Sequence, residues 1–447
     1  MSTFIDRPRY LCALGGAVAT LTNLPRVIPI LHAAGGCGGN IANALNNAGG
    51  YAGTGYCGGQ SLPSSNIYER DIVFGGEERL DEQIETTMKI IDGGLYFVVT
   101  GCMVEMIGDD VSSVVKRCRN GHAPVLSAVT GGFLGTSSKG YDIVLETLIR
   151  HYVTKTSRRD RKTVNLWGIM PVQDVFWKGN LNSLKRLIGK LGYKVNTFFG
   201  ERETLDTLKN SGKAALNIVV SDIYGIEPAR AFEEVHGVPY LSAPLPIGPH
   251  GTDIFLRTLA DALRIKESVV EAVIKEEKSR FYDYLERVTD VYNDLDLQRY
   301  AVVVGDANYT QALTRFLADD LGWLPELAVV TDDDLPDEQR EALSKRFAGY
   351  ASGITPELVF DTDTSAVAKH LSNHWPRNKG QRYYDSFNPA FVIGSVFERD
   401  LAESLDAGFL SVTYPVSNRV VLDRAYAGYA GALRLTEDIF TVLVAGR

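Results

Sequence analysis

The chain has 447 residues, 45 % hydrophobic and 23 % charged, which suits a globular protein of two to four compact units and excludes fibre and disorder. Its 46 basic and 55 acidic residues leave a formal charge of −9, which argues against a nucleic-acid-binding face. Apolar runs stay far below the ~20 residues of a membrane helix, no secretory pattern opens the chain, and five cysteines, an odd number, fit a reducing cytoplasm.

Paired glycines dominate the first eighty residues, from Gly15-Gly16 through Gly35-Gly36 and Gly38-Gly39 to Gly75-Gly76. They predict a loop-rich front end, where the backbone turns sharply or comes close to something. Spacing then predicts a helix over 77–93, a buried strand over 95–100 ending at Gly101-Cys102, a helix over 109–119, a strand over 125–129 and an amphipathic helix over 140–154. The basic stretch 155–162 reads as a linker.

A second unit runs through a strand at 163–169, a helix at 180–191, strands at 194–199 and 215–220, and helices at 227–236, 252–265 and 269–294. A third opens with a buried strand and Gly-Asp turn at 299–306. A helix at 310–321 follows, then strands at 326–331, 358–361, 390–393 and 409–412 interleaved with helices. This alternation predicts three α/β domains with parallel sheets covered on both faces, over residues 1–160, 161–297 and 298–447. The fingerprints of a bound nucleotide are missing: no Gly-x-Gly-x-x-Gly links a strand to a helix, and no Gly-x-x-x-x-Gly-Lys-Ser/Thr occurs. If ATP matters, another protein binds it.

All five cysteines fall within the first 118 residues. Cys12 lies in Leu11-Cys-Ala-Leu-Gly-Gly-Ala17, Cys37 in His32-Ala-Ala-Gly-Gly-Cys-Gly-Gly39, and Cys102 in Thr100-Gly-Cys-Met-Val-Glu-Met-Ile-Gly-Asp-Asp110, beyond a strand, where open α/β sheets place ligands. Separations of 25 and 65 residues match neither a zinc site nor the Cys-x-x-Cys rhythm of ferredoxins. They suit a large iron–sulfur cluster held by loops from separate parts of a fold, completed by a second chain. Spacing leaves the other reading open, three buried cysteines acting as small hydrophobes. Cys118, beside Lys116, Arg117 and Arg119, reads as a surface or core residue, and Cys57 stays ambiguous. His32 orients its loop, donates a hydrogen bond towards sulfide, or is a satisfied structural histidine, the more common outcome.

At these residues the sequence resembles the nitrogenase component 1 superfamily. The shared order is His32-x4-Cys37, then Asp71-Ile-Val-Phe-Gly-Gly76, then Cys102-x-x-Glu-x-Ile-Gly-Asp-Asp110. The resemblance runs along nearly the whole chain and implies three Rossmann-like, doubly wound domains. It also implies an 8Fe-7S P-cluster on Cys12, Cys37 and Cys102, shared with an α-like (D-type) subunit in an α2β2 heterotetramer. Electrons would come from an iron protein homodimer carrying a 4Fe-4S cluster and ATP, docked on an apolar patch that includes Phe74.

No cysteine follows Cys118, so the late cysteine of the family's α-type chain has no counterpart. Pro246-Ile-Gly-x-x-x-Thr252-Asp253-x-Phe255-Leu256, and Tyr414-Pro415 leading to Gly428-Tyr429-x-Gly431-Ala432, resemble the β-type (K-type) chain. The resemblance thus implies an electron-relay subunit whose substrate site lies in the partner. Gly132 stands where the family carries a serine able to bind the oxidised P-cluster. Together with the glycine-rich insert around Cys57 and the shortness of the chain, this points to a nitrogenase-like enzyme rather than a dinitrogen-fixing one, and the resemblance alone implies the methylthio-alkane reductase type, which cleaves C–S bonds. The alternatives are the β chain of a vanadium or iron-only nitrogenase, a scaffold for cofactor assembly, and a metal-free structural subunit.

Overall fold

The computed structural model describes residues 5, 7–51, 62–118, 123–200, 202–332, 335–375 and 387–445. Among these residues the strands form three sheets, and every strand pair within them is parallel. Parallel pairing needs a crossover between successive strands, which the interleaved helices supply.

The first sheet has the order β1-β2-β3, from β1 (Val27–His32), β2 (Leu95–Thr100) and β3 (Val125–Ala128). The central β2 is buried at every position, which is why it reads as an unbroken apolar run. Pro29, which has no N–H to donate, lies on the edge strand β1. The second sheet has the order β5-β4-β6-β7, from β4 (Asp160–Trp167), β5 (Lys194–Asn196), β6 (Ala214–Val219) and β7 (Tyr240–Ser242). The third has the order β10-β9-β8-β11-β12, from β8 (Tyr300–Gly305), β9 (Leu324–Val330), β10 (Glu357–Phe360), β11 (Ala390–Gly394) and β12 (Gly408–Ser411). The last helix, Gly428–Ala445, crosses back onto the helices Trp177–Lys190, Gly248–Leu263 and Glu267–Leu285.

The front end departs from the loop-rich expectation. Helix Ala13–Thr22 contains Gly15-Gly16, and helix Gly35–Asn47 begins with the paired glycines around Cys37. The cause at Gly16 is packing. This helix crosses helix Ser137–His151 so closely that a methyl group at Gly16 would overlap the backbone of Ser137, and one at Gly140 that of Ala13. A single expected helix over 269–294 is instead Glu267–Leu285, a short 3-10 turn and Thr289–Asp294. The helix expected over 310–321 is Ala307–Arg315, started by the Asp306 side chain accepting from Tyr309 N–H and followed by a π-helical turn.

Candidate metal centre

Each of the three singled-out cysteines stands at the amino end of a helix. Cys12 is the N-cap of Ala13–Thr22, Cys37 is in the first turn of Gly35–Asn47, and Cys102 opens the short helix Cys102–Ile107 just beyond β2.

The segment after β3 draws two of them together. Ala13 N–H donates to Gly135 O (2.9 Å), Cys12 bridges to Thr136, and Gly132 N–H donates to Cys102 Sγ (3.0 Å). A Cβ at Gly132 would lie 3.1 Å from Cys102 Sγ, 3.2 Å from Cys12 Cβ and 3.5 Å from Cys12 Sγ. Glycine therefore leaves open the space beside both sulfurs. Cys37 belongs to the same group: burial, and then the charges of Cys12 and Cys102, push its thiol above the ordinary value.

The donor set fits the implied iron–sulfur group. It is all sulfur, the soft ligand such clusters take, and the Gly132 cradle keeps a side chain out of the space beside it. Among the described residues no three His, Cys, Asp or Glu side chains converge as ligands of a single metal ion. Cys12 and Cys102 are exposed. Around them Val129, Phe133, Leu134 and Met106 are exposed too, an apolar rim unusual for free surface.

Other sequence candidates fall elsewhere. His32 is fully buried with both ring nitrogens engaged, Nδ1 with Ser65 Oγ (2.9 Å) and Nε2 with Asp109 Oδ2 (3.0 Å). Burial lowers its pKa in spite of Asp109, so the ring is a neutral structural brace with no nitrogen free for sulfide. Cys118 donates to Asp81 Oδ1 (3.3 Å), and burial followed by Asp81 pushes its thiol up to about 11, which keeps it an inert protonated group. Cys57 lies outside the described residues. Phe74 ends the helix Glu69–Phe74 and is 81 % exposed, which excludes a core role. Val73 beside it and Met106 on the adjoining helix are comparably bare.

Sequence reasoning missed Glu105. Its Oε1 accepts from Thr100 Oγ1 (2.5 Å), Thr130 N–H (3.0 Å) and Gly131 N–H (2.6 Å). The signal was available in Cys102-x-x-Glu105, where helical spacing puts the carboxylate on the cysteine's own face.

Three parallel sheets with interleaved helices make this an α/β protein, and Cys12 and Cys102 stand together on its surface. The chain belongs to the nitrogenase component 1 type oxidoreductases, whose family model matches residues 12–444. It is 25 % identical over 340 residues to the nitrogenase molybdenum-iron protein beta chain of Bradyrhizobium diazoefficiens (70 % of this chain, 62 % of that one). Identity is 26 % over 383 residues with the nitrogenase iron-molybdenum cofactor biosynthesis protein NifE of Clostridium pasteurianum (84 % and 75 %). With a subunit of the light-independent protochlorophyllide reductase of Staurastrum punctulatum it is 24 % over 406 residues (86 % and 74 %). A 28 % match to the Methanosarcina barkeri nitrogenase alpha chain spans 50 % of this chain and 42 % of that one, so this relative and the Bradyrhizobium chain are each covered over less than two thirds. The fold matches a solved nitrogenase Cp1 structure at pH 6.5 with a TM-score of 0.80, over 100 % of this chain and 94 % of that one, at 19 % identity. The expected superfamily and the three parallel sheets are thereby shown. Among the described residues no helix is long and apolar enough to cross a membrane.

Proposed function

We propose that the chain is the β-like subunit of a nitrogenase-like reductase, and that Cys12, Cys37 and Cys102 supply its half of an 8Fe-7S P-cluster. One observation supports this reading: the thiols of Cys12 and Cys102, from separate segments, flank Gly132 on an exposed face with an apolar rim, with the half-buried Cys37 at a third helix start. An α-like subunit in an α2β2 assembly supplies the remaining ligands and covers the rim, so that Phe133 and Leu134 exclude water from the sulfurs. When bound, the cluster supplies one-electron chemistry between an ATP-hydrolysing iron protein and a cofactor in the α-like subunit. The chain's own contribution is to bind with three thiolates, to donate the Gly132 N–H to Cys102, and to present Phe74 for docking.

The substrate class we assign is the methylthio-alkanes. Two electrons and two protons convert R–S–CH3 to R–H and CH3SH. The choice rests on the resemblance alone; Gly132 offers no hydroxyl for a second oxidation at the cluster and leaves one-electron relay in place. The test is anaerobic co-expression with the α-like partner, followed by iron analysis and assays with a methyl thioether, acetylene and dinitrogen. Iron-bearing complex with thioether turnover supports the reading, whereas dinitrogen reduction assigns the chain to a vanadium or iron-only nitrogenase. The 26 % identity with NifE favours one further reading, a scaffold for cofactor assembly. Transfer of a cluster to an apo-enzyme, with no turnover, would identify it.

A further inference from the structure

The polar arrangement behind Cys102 is more elaborate than a turn requires. Thr100 and Thr130 close a reciprocal pair at the ends of β2 and β3: Thr100 N–H donates to Thr130 Oγ1 (3.0 Å), Thr130 N–H to Thr100 Oγ1 (3.0 Å), and Thr130 Oγ1 to Thr100 O (2.9 Å). Glu105 sits against this pair and gathers three donors on one oxygen. Its other oxygen occupies the space a side chain at residue 131 would need, so any such side chain would push the carboxylate aside. The next residue is Gly132, whose N–H meets Cys102 Sγ at 3.0 Å. One carboxylate thus fixes the turn that aims a single amide at a single sulfur, and that carboxylate is carried on the helix opened by the same cysteine.

We propose that Glu105 is a positioning residue that holds the Thr130–Gly131 turn so that the Gly132 N–H donates to the Cys102 sulfur, and that it thereby raises the reduction potential of the group bound there. This rests on the reading of Cys102 as a cluster ligand. The physical reason is general: an N–H donated to a thiolate withdraws charge from the metal and favours the reduced state. A carboxylate placed directly at the sulfur would do the reverse, and here three donors spend its charge on the turn.

The test compares Glu105→Ala with Glu105→Gln, which keeps an oxygen acceptor for the Gly131 and Thr130 N–H groups. Hydrogen exchange at the Gly132 amide is measured first, in the full chain prepared without iron. Exchange should quicken about five- to tenfold in Glu105→Ala, the factor for losing one hydrogen bond, and change little in Glu105→Gln. In the iron-loaded complex the midpoint potential should move to a more negative value in Glu105→Ala and stay near the parent's in Glu105→Gln. Unaltered Gly132 exchange in Glu105→Ala overturns the proposal, as does an unaltered potential at full iron content. If Glu105→Ala loses its iron, the exchange measurement decides alone. A parent complex that binds no iron refutes the cluster reading itself, and the exchange result still reports on the clamp.

Discussion

Gly101 immediately precedes Cys102 and packs on Ala33, four residues before Cys37, so it sets the spacing between two of the three thiol-bearing segments. Its N–H donates to His32 O (2.9 Å), and its backbone (φ −91°, ψ 167°) suits any residue, so Gly101→Ala brings no backbone strain and acts chiefly through sterics. The added Cβ would fall 2.7 Å from Ala33 Cβ, where ordinary contact begins near 3.4 Å, leaving about 0.7 Å to be found. Ala33 is itself fully buried and has no flexible end to swing aside. Overpacking of this kind costs ~1–3 kcal/mol, and alanine is a poorer N-cap than glycine by several tenths of a kcal/mol or more. The expected net loss is ~2 kcal/mol, read as a lower urea midpoint, together with lower iron content because Cys102 moves relative to Cys37. Ala33→Gly on the same chain removes the obstructing methyl and leaves only Ala33 Cα, at 3.3 Å. The double variant should therefore recover iron and most of the stability, with a coupling of ~1–2 kcal/mol. Additive losses, or a Gly101→Ala chain as stable and iron-rich as its parent, would refute the reasoning. Gly189→Ala, a helix position with open space around it, is the control and should stabilise by ~1 kcal/mol.

Cys37→Ala should strip or distort the cluster and abolish turnover, since among the described residues no further thiol reaches the group; iron content equal to the parent's would contradict the assignment. Phe74→Ala should leave iron content intact and lower activity at limiting iron protein, because it removes exposed apolar area from the docking helix; unchanged activity there would dismiss that role. Burial pushes Asp174 up to about 7, so the folded chain holds a proton that the unfolded carboxyl, ordinarily at 3.8, releases. Its contribution to stability is full below that ordinary value and is lost as pH rises through about 7, by up to ~1.4 kcal/mol per pH unit. Urea midpoints between pH 5.5 and 8 should accordingly fall less steeply for Asp174→Asn than for the parent, and equal slopes would count against it.

What could be read from the sequence divides by the range of the interaction. The central strands β2 and β8 were legible because burial on both faces writes a continuous apolar run, and position 102 followed at once from the strand end. The helices of the front end were not legible because its glycines respond to partners far along the chain. Gly16 is small because helix Ser137–His151 crosses it, and nothing local to residues 13–22 announces residue 137. The same holds at the metal centre. Cysteine type and spacing pointed to soft ligands, but the groups that aim and shield them, Glu105, Gly131 and Gly132, act through contacts between the ends of β2 and β3. A glycine that spares a turn and a glycine that spares a neighbour's sulfur look alike in one dimension. They separate when a methyl group is placed on each: at Gly39 it meets nothing, and at Gly132 it meets two thiol-bearing side chains. Substituting alanine at both should therefore leave iron unaffected by the methyl at Gly39, and displace it at Gly132.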